Sequence, residues 1–315
     1  MIHPDARILA VIVTYHPATE ALRALIGELK SQADEILVVD NTPANDDAAW
    51  NTVSGLEGLD RGLRMVRLGG NRGIATALNV GIGVGVSEGF THVLLSDQDS
   101  LPEAGMVAGM LEAERIARDS GSRVGAVGPV FRDRVTRMEY PFQVTAPRRL
   151  FYSSKFATDA SPDISTLCLI TSGCLIPVDT IDRVGDMLDG LFIDHVDVEW
   201  CHRAISKGYV LIGSNRGVMR HNMGDSCIRV WVFGWRALNG YGPVRLYYRF
   251  RNFVHLLRMP YIGFAWKVRA SWYWAGNFYG HAFFGDAKVA NLVAMLSGLA
   301  DGLRGKWGKR EESDA

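Results

Sequence analysis

The chain has 315 residues, of which 48% are apolar, enough for a full hydrophobic core and too many for a disordered chain. Its 34 basic and 34 acidic side chains cancel, but they are segregated: Cys227 to Arg310 holds 13 basic and two acidic residues (Asp286, Asp301), the tail adds −3, and residues 1–226 carry −8. The same basic segment contains 19 of the 31 aromatic residues, so front and back halves are suited to different partners.

Cys168, Cys174, Cys201 and Cys227 show no C-x-x-C spacing and read as isolated thiols of a reducing compartment. The N-terminus lacks a cationic region before its short apolar run and reads as a first strand rather than a secretory signal. No uninterrupted apolar stretch reaches about 18 residues, so a cytoplasmic chain without a spanning helix is expected.

Residues 8–14 form a β-branched run typical of a strand buried on both faces, and residues 18–32 follow as a helix with Leu22, Leu25, Ile26 and Leu29 on one side. A second strand, 35–39, stops at Asp40-Asn41, and a third lies near 63–68. The glycine-broken stretch Gly69 to Gly73 then precedes a helix of small residues reaching about 87. Strand 92–96 ends at Asp97-Gln98-Asp99, and Pro102 is expected to open the next helix. Residues 123–130 are strand-like, 131–166 irregular, and 167–178 return to the core. Helices are expected over 179–188 and 196–207, with a strand near 209–213 leading to the His221 loop.

This β-α-β-α order predicts an α/β fold built on a doubly wound, mostly parallel sheet. The expected organisation is a catalytic domain over 1–226 and a basic, aromatic-rich helical region over 227–315, with breaks at Gly240, Pro243 and Pro260. In such sheets ligands bind beyond the carboxyl ends of the strands, which puts Asp40 and Asp97 on one rim.

Asp97 and Asp99 offer hard oxygen ligands suited to Mg²⁺ or Mn²⁺ shared with a diphosphate, although a bare D-x-D is as a rule only a solvated turn. Asp40 could accept hydrogen bonds from a base or ribose, or could simply start an Asx-turn. Asn71 could approach a nucleotide or belong to a plain glycine turn. His221 suits a metal but a lone histidine is more often structural. Asp197 and Asp194 are candidates for a general base, with Asp197 preferred, while Glu199 and Arg203 four residues apart read as a helix-surface pair.

Taken in order, Val13-Thr-Tyr-His-Pro17, Val38-Val-Asp-Asn41, Asn71 to Gly81, Leu95-Ser-Asp-Gln-Asp-Ser100, Thr171-Ser-Gly-Cys-Leu175, Phe192 to Arg203 and the His221 loop cover about 215 residues. This series resembles the family 2 glycosyltransferases of the GT-A fold, particularly bacterial rhamnosyltransferases of O-antigen and other surface polysaccharides. The resemblance implies that Thr14 and Asp40 contact the nucleotide and that Asn71 lines the donor pocket. It implies that Asp97, with Gln98 beside it, binds the sugar or its ribose, and that Asp99 and His221 ligate the metal. Asp197 occupies the position of the inverting base, though Val196 stands where the family often has glutamate. The implied donor is dTDP-β-L-rhamnose, with UDP-galactofuranose or a UDP-hexose as the alternative, and the implied acceptor is a lipid-linked saccharide.

Arg245, Arg249, Arg251 and Arg258 alternate with aromatic residues, so this region reads either as a helix on an anionic inner leaflet or as packing against the catalytic domain or a second subunit. No motif accompanies it that would favour nucleic acid. A sugar nucleotidylyltransferase would open with a glycine-rich loop and arginine, where this chain has Thr14-Tyr15-His16-Pro17. A non-catalytic scaffold of the same fold would not need Asp97, Asp99, Asp197 and His221 together.

Overall fold

The computed structural model describes residues 6–46, 51, 54–55, 62–133, 137–145, 152–220, 226–231 and 234–311. The first strand, β1 (Ile8–Thr14), is buried along its whole length, as its β-branched run dictates. Its alternate residues serve two layers. Leu9, Val11 and Val13 pack in one core with Ala77, Leu78 and Ile82 of helix α2 (Ile74–Ser87). Ile8, Ala10 and Ile12 pack in the other with Leu22, Leu25 and Leu29 of α1 (Thr19–Leu29) and Met110 of α3 (Met106–Asp119).

β2 (Glu35–Asp40), β3 (Leu63–Arg67) and β4 (His92–Asp97) extend this sheet in parallel, in the order β3-β2-β1-β4. Beyond β4, β10 (Cys174–Pro177) is inserted antiparallel between β4 and β6 (Val124–Arg132). The long β11 (Val210–Arg220) then pairs parallel with β6 and antiparallel with β9 (Asp163–Thr166), while β7 (Phe142–Val144) and β8 (Ser153–Lys155) form a separate antiparallel pair. The expected doubly wound, mostly parallel sheet is therefore present, with β10 inserted antiparallel, further antiparallel pairing along β11, and helices following it.

Several local expectations are corrected. Pro102 does not open a helix: Leu101–Pro102 forms the short edge strand β5 beside Met219 and Arg220, where a missing N–H costs nothing, and α3 starts only at Met106 after Gly105 at φ 80°. The helix expected over 179–188 is α4 (Val178–Val184), stopped by Gly185 at φ 93°. α5 (Val196–Ser206) follows as expected. Beyond residue 226 the chain first makes a hairpin, β12 (Ser226–Trp231) and β13 (Trp235–Gly240), before turning helical.

Three helices close the chain: α6 (Pro243–Arg258), α7 (Phe264–Phe283) and α8 (Lys288–Leu303). Pro243 at the first turn of α6 fits its fixed φ and missing donor. The α6 residues Leu246, Phe250 and Phe253 join Trp266, Trp274 and Met295 in a further core, onto which Leu167, Leu188 and Val198 also pack. No described helix is long and apolar enough to cross a membrane.

α6 and α8 approach closely because α8 presents glycines to them: a Cβ at Gly298 would run into the carbonyl of Tyr247, and one at Gly302 would lie 2.7 Å from the Arg251 carbonyl oxygen. Gly298→Val should force the two helices apart and lower the unfolding free energy by about 1–3 kcal/mol, measured by chemical denaturation. An unchanged midpoint would show that this packing is slack.

Candidate active site

The register of β1, β2 and β4 sets Thr14 beside Asp40 and Val13 beside Asp97, so the ends of the three strands share one rim. Asp40 is wholly buried. Its Oδ1 accepts hydrogen bonds from the hydroxyls of Thr14 at 2.9 Å and Thr42 at 2.7 Å. Its Oδ2 is also buried and has no hydrogen-bond partner among the described residues. A buried carboxylate oxygen left in that condition is costly unless an incoming N–H or O–H occupies it, as a base or ribose would. Thr14, itself fully buried, acts here by orienting Asp40.

The neighbouring loop is tied to the same strand end. Asn41 Nδ2 donates to Asn71 Oδ1 at 3.2 Å, Asn41 Oδ1 accepts from the Arg72 amide at 2.8 Å, and Asn71 Oδ1 also accepts from the Gly73 amide at 3.1 Å. The Asn71 carbonyl thus shapes the loop. Gln98 behaves similarly: its Oε1 accepts from the Tyr15 amide at 2.8 Å and its Nε2 donates to the Tyr15 carbonyl at 3.1 Å. The amide of Gln98 staples the end of β1 to the acidic cluster.

Asp97 is pushed up to about 7, first by burial and then by the Asp99 carboxylate, with Arg245 opposing. Asp197, in the first turn of α5, is pushed up to about 6, again chiefly by burial, with Asp194 and Asp97 adding to the rise. Amide donors at Val198 and Thr171 oppose it, and Val198 donates to Asp197 Oδ1 at 2.8 Å. Asp97 and Asp197 therefore come from distant parts of the chain into one electrostatic environment. Asp194 is different. Burial would raise it, but Arg249 and Arg245 of α6 outweigh that and hold it below the usual carboxylate range. Both guanidiniums reach Asp194 Oδ1 at 3.0 Å, which suits an anchor and not a proton acceptor.

The turn carrying Asp194 is strained. Phe192, Asp194 and His195 have φ of 65°, 59° and 66°, a region that costs non-glycine residues about 1–3 kcal/mol each. It is held from α6. Asn252 Nδ2 faces the carbonyls of Leu191 and Ile193 at 2.8 Å and of Asp194 at 3.1 Å. Arg251 donates to the carbonyls of Gly190 at 3.2 Å, Leu191 at 3.1 Å and, closest of all, Gly308. From the opposite side the Ile74 amide donates to the Phe192 carbonyl at 2.7 Å, and a Cβ on Gly73 would collide with Phe192. Arg245, Arg249, Arg251 and Asn252 were not anticipated as site residues. The available signal was an adjacent Arg-Asn pair within a helix whose other residues are largely apolar.

Arg249 and Arg251 are thus drawn inward, whereas Arg258 lies exposed at the end of α6, where it donates to the Gly302 and Leu303 carbonyls of α8 at 2.9 Å. The Glu199–Arg203 pair is also no surface pair, because Glu199 is buried and shared with the Tyr261 hydroxyl. Cys174 and Cys201 are buried free thiols, Cys201 accepting from the Leu169 amide at 3.3 Å.

His221 lies outside the described residues. Among those described, no three or more His, Cys, Asp or Glu side chains converge on a metal position. The adjacent carboxylates of Asp97 and Asp99 do fit a divalent cation, since their mutual repulsion and the burial of Asp97 favour a neutralising charge.

Residues 10–181 match the family model of glycosyl transferase family 2. The chain is 30% identical over 269 residues to "dTDP-rhamnosyl transferase RfbF" of Shigella flexneri, covering 84% of each chain. Among solved structures it resembles GalNAc-T7 with UDP, GalNAc and Mn²⁺, with a TM-score of 0.57 and 13% identity over 96% of this chain. It spans 57% of that longer chain. It also resembles the mannosyltransferase PcManGT from Pyrobaculum calidifontis in complex with GDP-Man and Mn²⁺, with a TM-score of 0.52 and 18% identity over 96% of this chain and 78% of that one. At these identities the two structures speak for the fold.

A carboxyl whose folded-state pKa is raised from 3.8 to about 6 destabilises the fold above pH 6, and that cost disappears as pH falls below the unfolded value. Asp197→Asn removes it and should raise the unfolding free energy at neutral pH and above by up to about 3 kcal/mol. A melting temperature that falls on this substitution would show that the charged form is stabilised in the fold.

Proposed function

This chain belongs to glycosyl transferase family 2, and from that premise we propose that it is an inverting, metal-dependent rhamnosyltransferase using dTDP-β-L-rhamnose. The observation that supports the reading is the unpartnered Oδ2 of the buried Asp40 on the rim it shares with Asp97, whose charge also acts on Asp197. The rhamnosyl relative, 30% identical over most of both chains, supports the donor.

In this reading Asp40 Oδ2 takes a hydrogen bond from the nucleoside, with Thr14 and Thr42 fixing the carboxylate. Asn71 and Gln98 shape the pocket through the loops they hold, and Asp97 faces the sugar or ribose. Asp99 and His221 would hold Mg²⁺ or Mn²⁺, which when bound would supply charge neutralisation for the diphosphate. Asp197 takes the proton of the acceptor hydroxyl as its oxygen bonds to the anomeric carbon. The bond from that carbon to the diphosphate oxygen breaks on the opposite face, so configuration inverts and no covalent enzyme intermediate forms. The acceptor is a lipid-linked saccharide of O-antigen-type surface polysaccharide synthesis, met at the inner face of the cytoplasmic membrane.

The base works only when ionised. Because Asp197 is raised to about 6, turnover should climb with pH through about 6 and then level off. Asp197→Asn should lower turnover by about 10²–10⁴-fold while leaving donor affinity intact. Nucleotide release measured across dTDP-rhamnose, UDP-galactofuranose and UDP-hexoses, with and without chelator, checks donor and metal together. Release from dTDP-rhamnose should be fastest, and chelation should stop it. Equal turnover of the UDP sugars, or full activity of Asp197→Asn, would contradict it.

A further inference from the structure

With Arg249 and Arg251 of α6 turned inward, the outer faces of α7 and α8 form a large part of the exposed surface of the basic segment, and each carries an apolar stripe. On α7, Trp272, Tyr279 and Phe283 fall at i, i+7 and i+11 and are 72%, 37% and 61% exposed. On α8, Leu292, Leu296 and Leu303 repeat the spacing at i, i+4 and i+11, with Leu303 63% exposed. Such spacing places each set on one side of its helix, opposite the side packed into the protein. Single exposed apolar residues are ordinary, but two successive helices with wholly apolar outer stripes mark an interaction surface.

Charge decides the partner. Between Cys227 and Arg310 there are 13 basic residues against Asp286 and Asp301. Asp301 is drawn inward, accepting from the Tyr247 hydroxyl at 2.9 Å and pairing with Arg304 and Lys306. Asp286 is therefore the one exposed acidic residue described in that segment, while Arg229, Arg269 and Lys288 lie exposed on the hairpin, α7 and α8. A two-fold contact with a second copy would set this cationic surface against itself. A nucleic acid would leave the apolar stripes uncovered. An anionic lipid surface satisfies both, taking the aromatic and leucine side chains at the acyl boundary and the cations among the headgroups.

We propose that α7 and α8 dock this protein peripherally on anionic membranes, their apolar stripes entering the interface and the surrounding Arg and Lys contacting lipid phosphates. None of the docking side chains belongs to the transfer machinery, so the surface stands independently of donor and acceptor chemistry.

The test uses full-length protein in sedimentation with vesicles of phosphatidylcholine alone and vesicles containing phosphatidylglycerol. Binding should require phosphatidylglycerol, weaken with added salt, and shift tryptophan emission to the blue. Trp272→Ser and Leu296→Ser should each weaken it roughly tenfold, the scale expected for one large apolar side chain kept in water. Both variants should release nucleotide from donor at the wild-type rate, which also checks that they fold. Failure to bind vesicles, equal binding to neutral lipid, or binding unaffected by either substitution would overturn the proposal. So would a concentration-dependent dimer in analytical ultracentrifugation that both substitutions dissolve. Inactive wild-type protein that still binds anionic vesicles would count against the transferase reading alone.

Discussion

Three non-glycine residues at positive φ cannot hold themselves in place, and the turn from Phe192 to His195 contains three. The hydrogen bonds of Asn252 and Arg251 to the carbonyls of 190–194 are what make that conformation persist. The turn in turn sets the start of α5, which carries Asp197 in its first turn. If the α6 contacts are lost, nothing else described holds the turn from that side, and the start of α5 is free to shift. The candidate site is therefore braced by a helix outside the main sheet.

This arrangement has a consequence for charge. Four arginines of α6 serve as connectors: Arg245 and Arg249 on Asp194, the buried Arg251 on the turn carbonyls and the exposed Arg258 on the end of α8. The basic, aromatic character of the chain's back half thus divides into two uses. Its inner part holds the turn that carries Asp194, and its outer part, on α7 and α8, remains exposed at the surface. The candidate carboxylates and the outer helices are joined in part through α6.

Much of the rim was legible in the sequence because buried parallel strands announce themselves, and a carboxylate ending such a strand falls where ligands bind. Asp40 and Asp97 are read in that way, while Asp197 is read from the start of a helix and from the family resemblance, and the structure gives each a distinct environment. The supporting shell was less legible. Asn71 and Gln98 read as possible ligands, yet their side-chain amides are largely committed to neighbouring backbone, a matter of three-dimensional closure that spacing does not encode. The α6 arginines read either as membrane-facing cations or as packing against the catalytic domain or a second subunit, and the carbonyl-rich turn beneath Arg251 together with Asp194 beside Arg245 and Arg249 decides for packing at those three positions. Pro102 illustrates a related ambiguity: a missing N–H suits both a helix start and a sheet edge, and the pairing with β11 decides between them.

The central claim is that a partly buried carboxylate, Asp197, positioned by a strained turn, drives a single displacement on a nucleotide sugar. The anomeric configuration of the first product formed from dTDP-β-L-rhamnose, read by nuclear magnetic resonance before any re-equilibration, tests it most directly. One displacement delivers the α-linked product. A β-linked product would require two displacements or another geometry of attack, and would contradict the role given to Asp197.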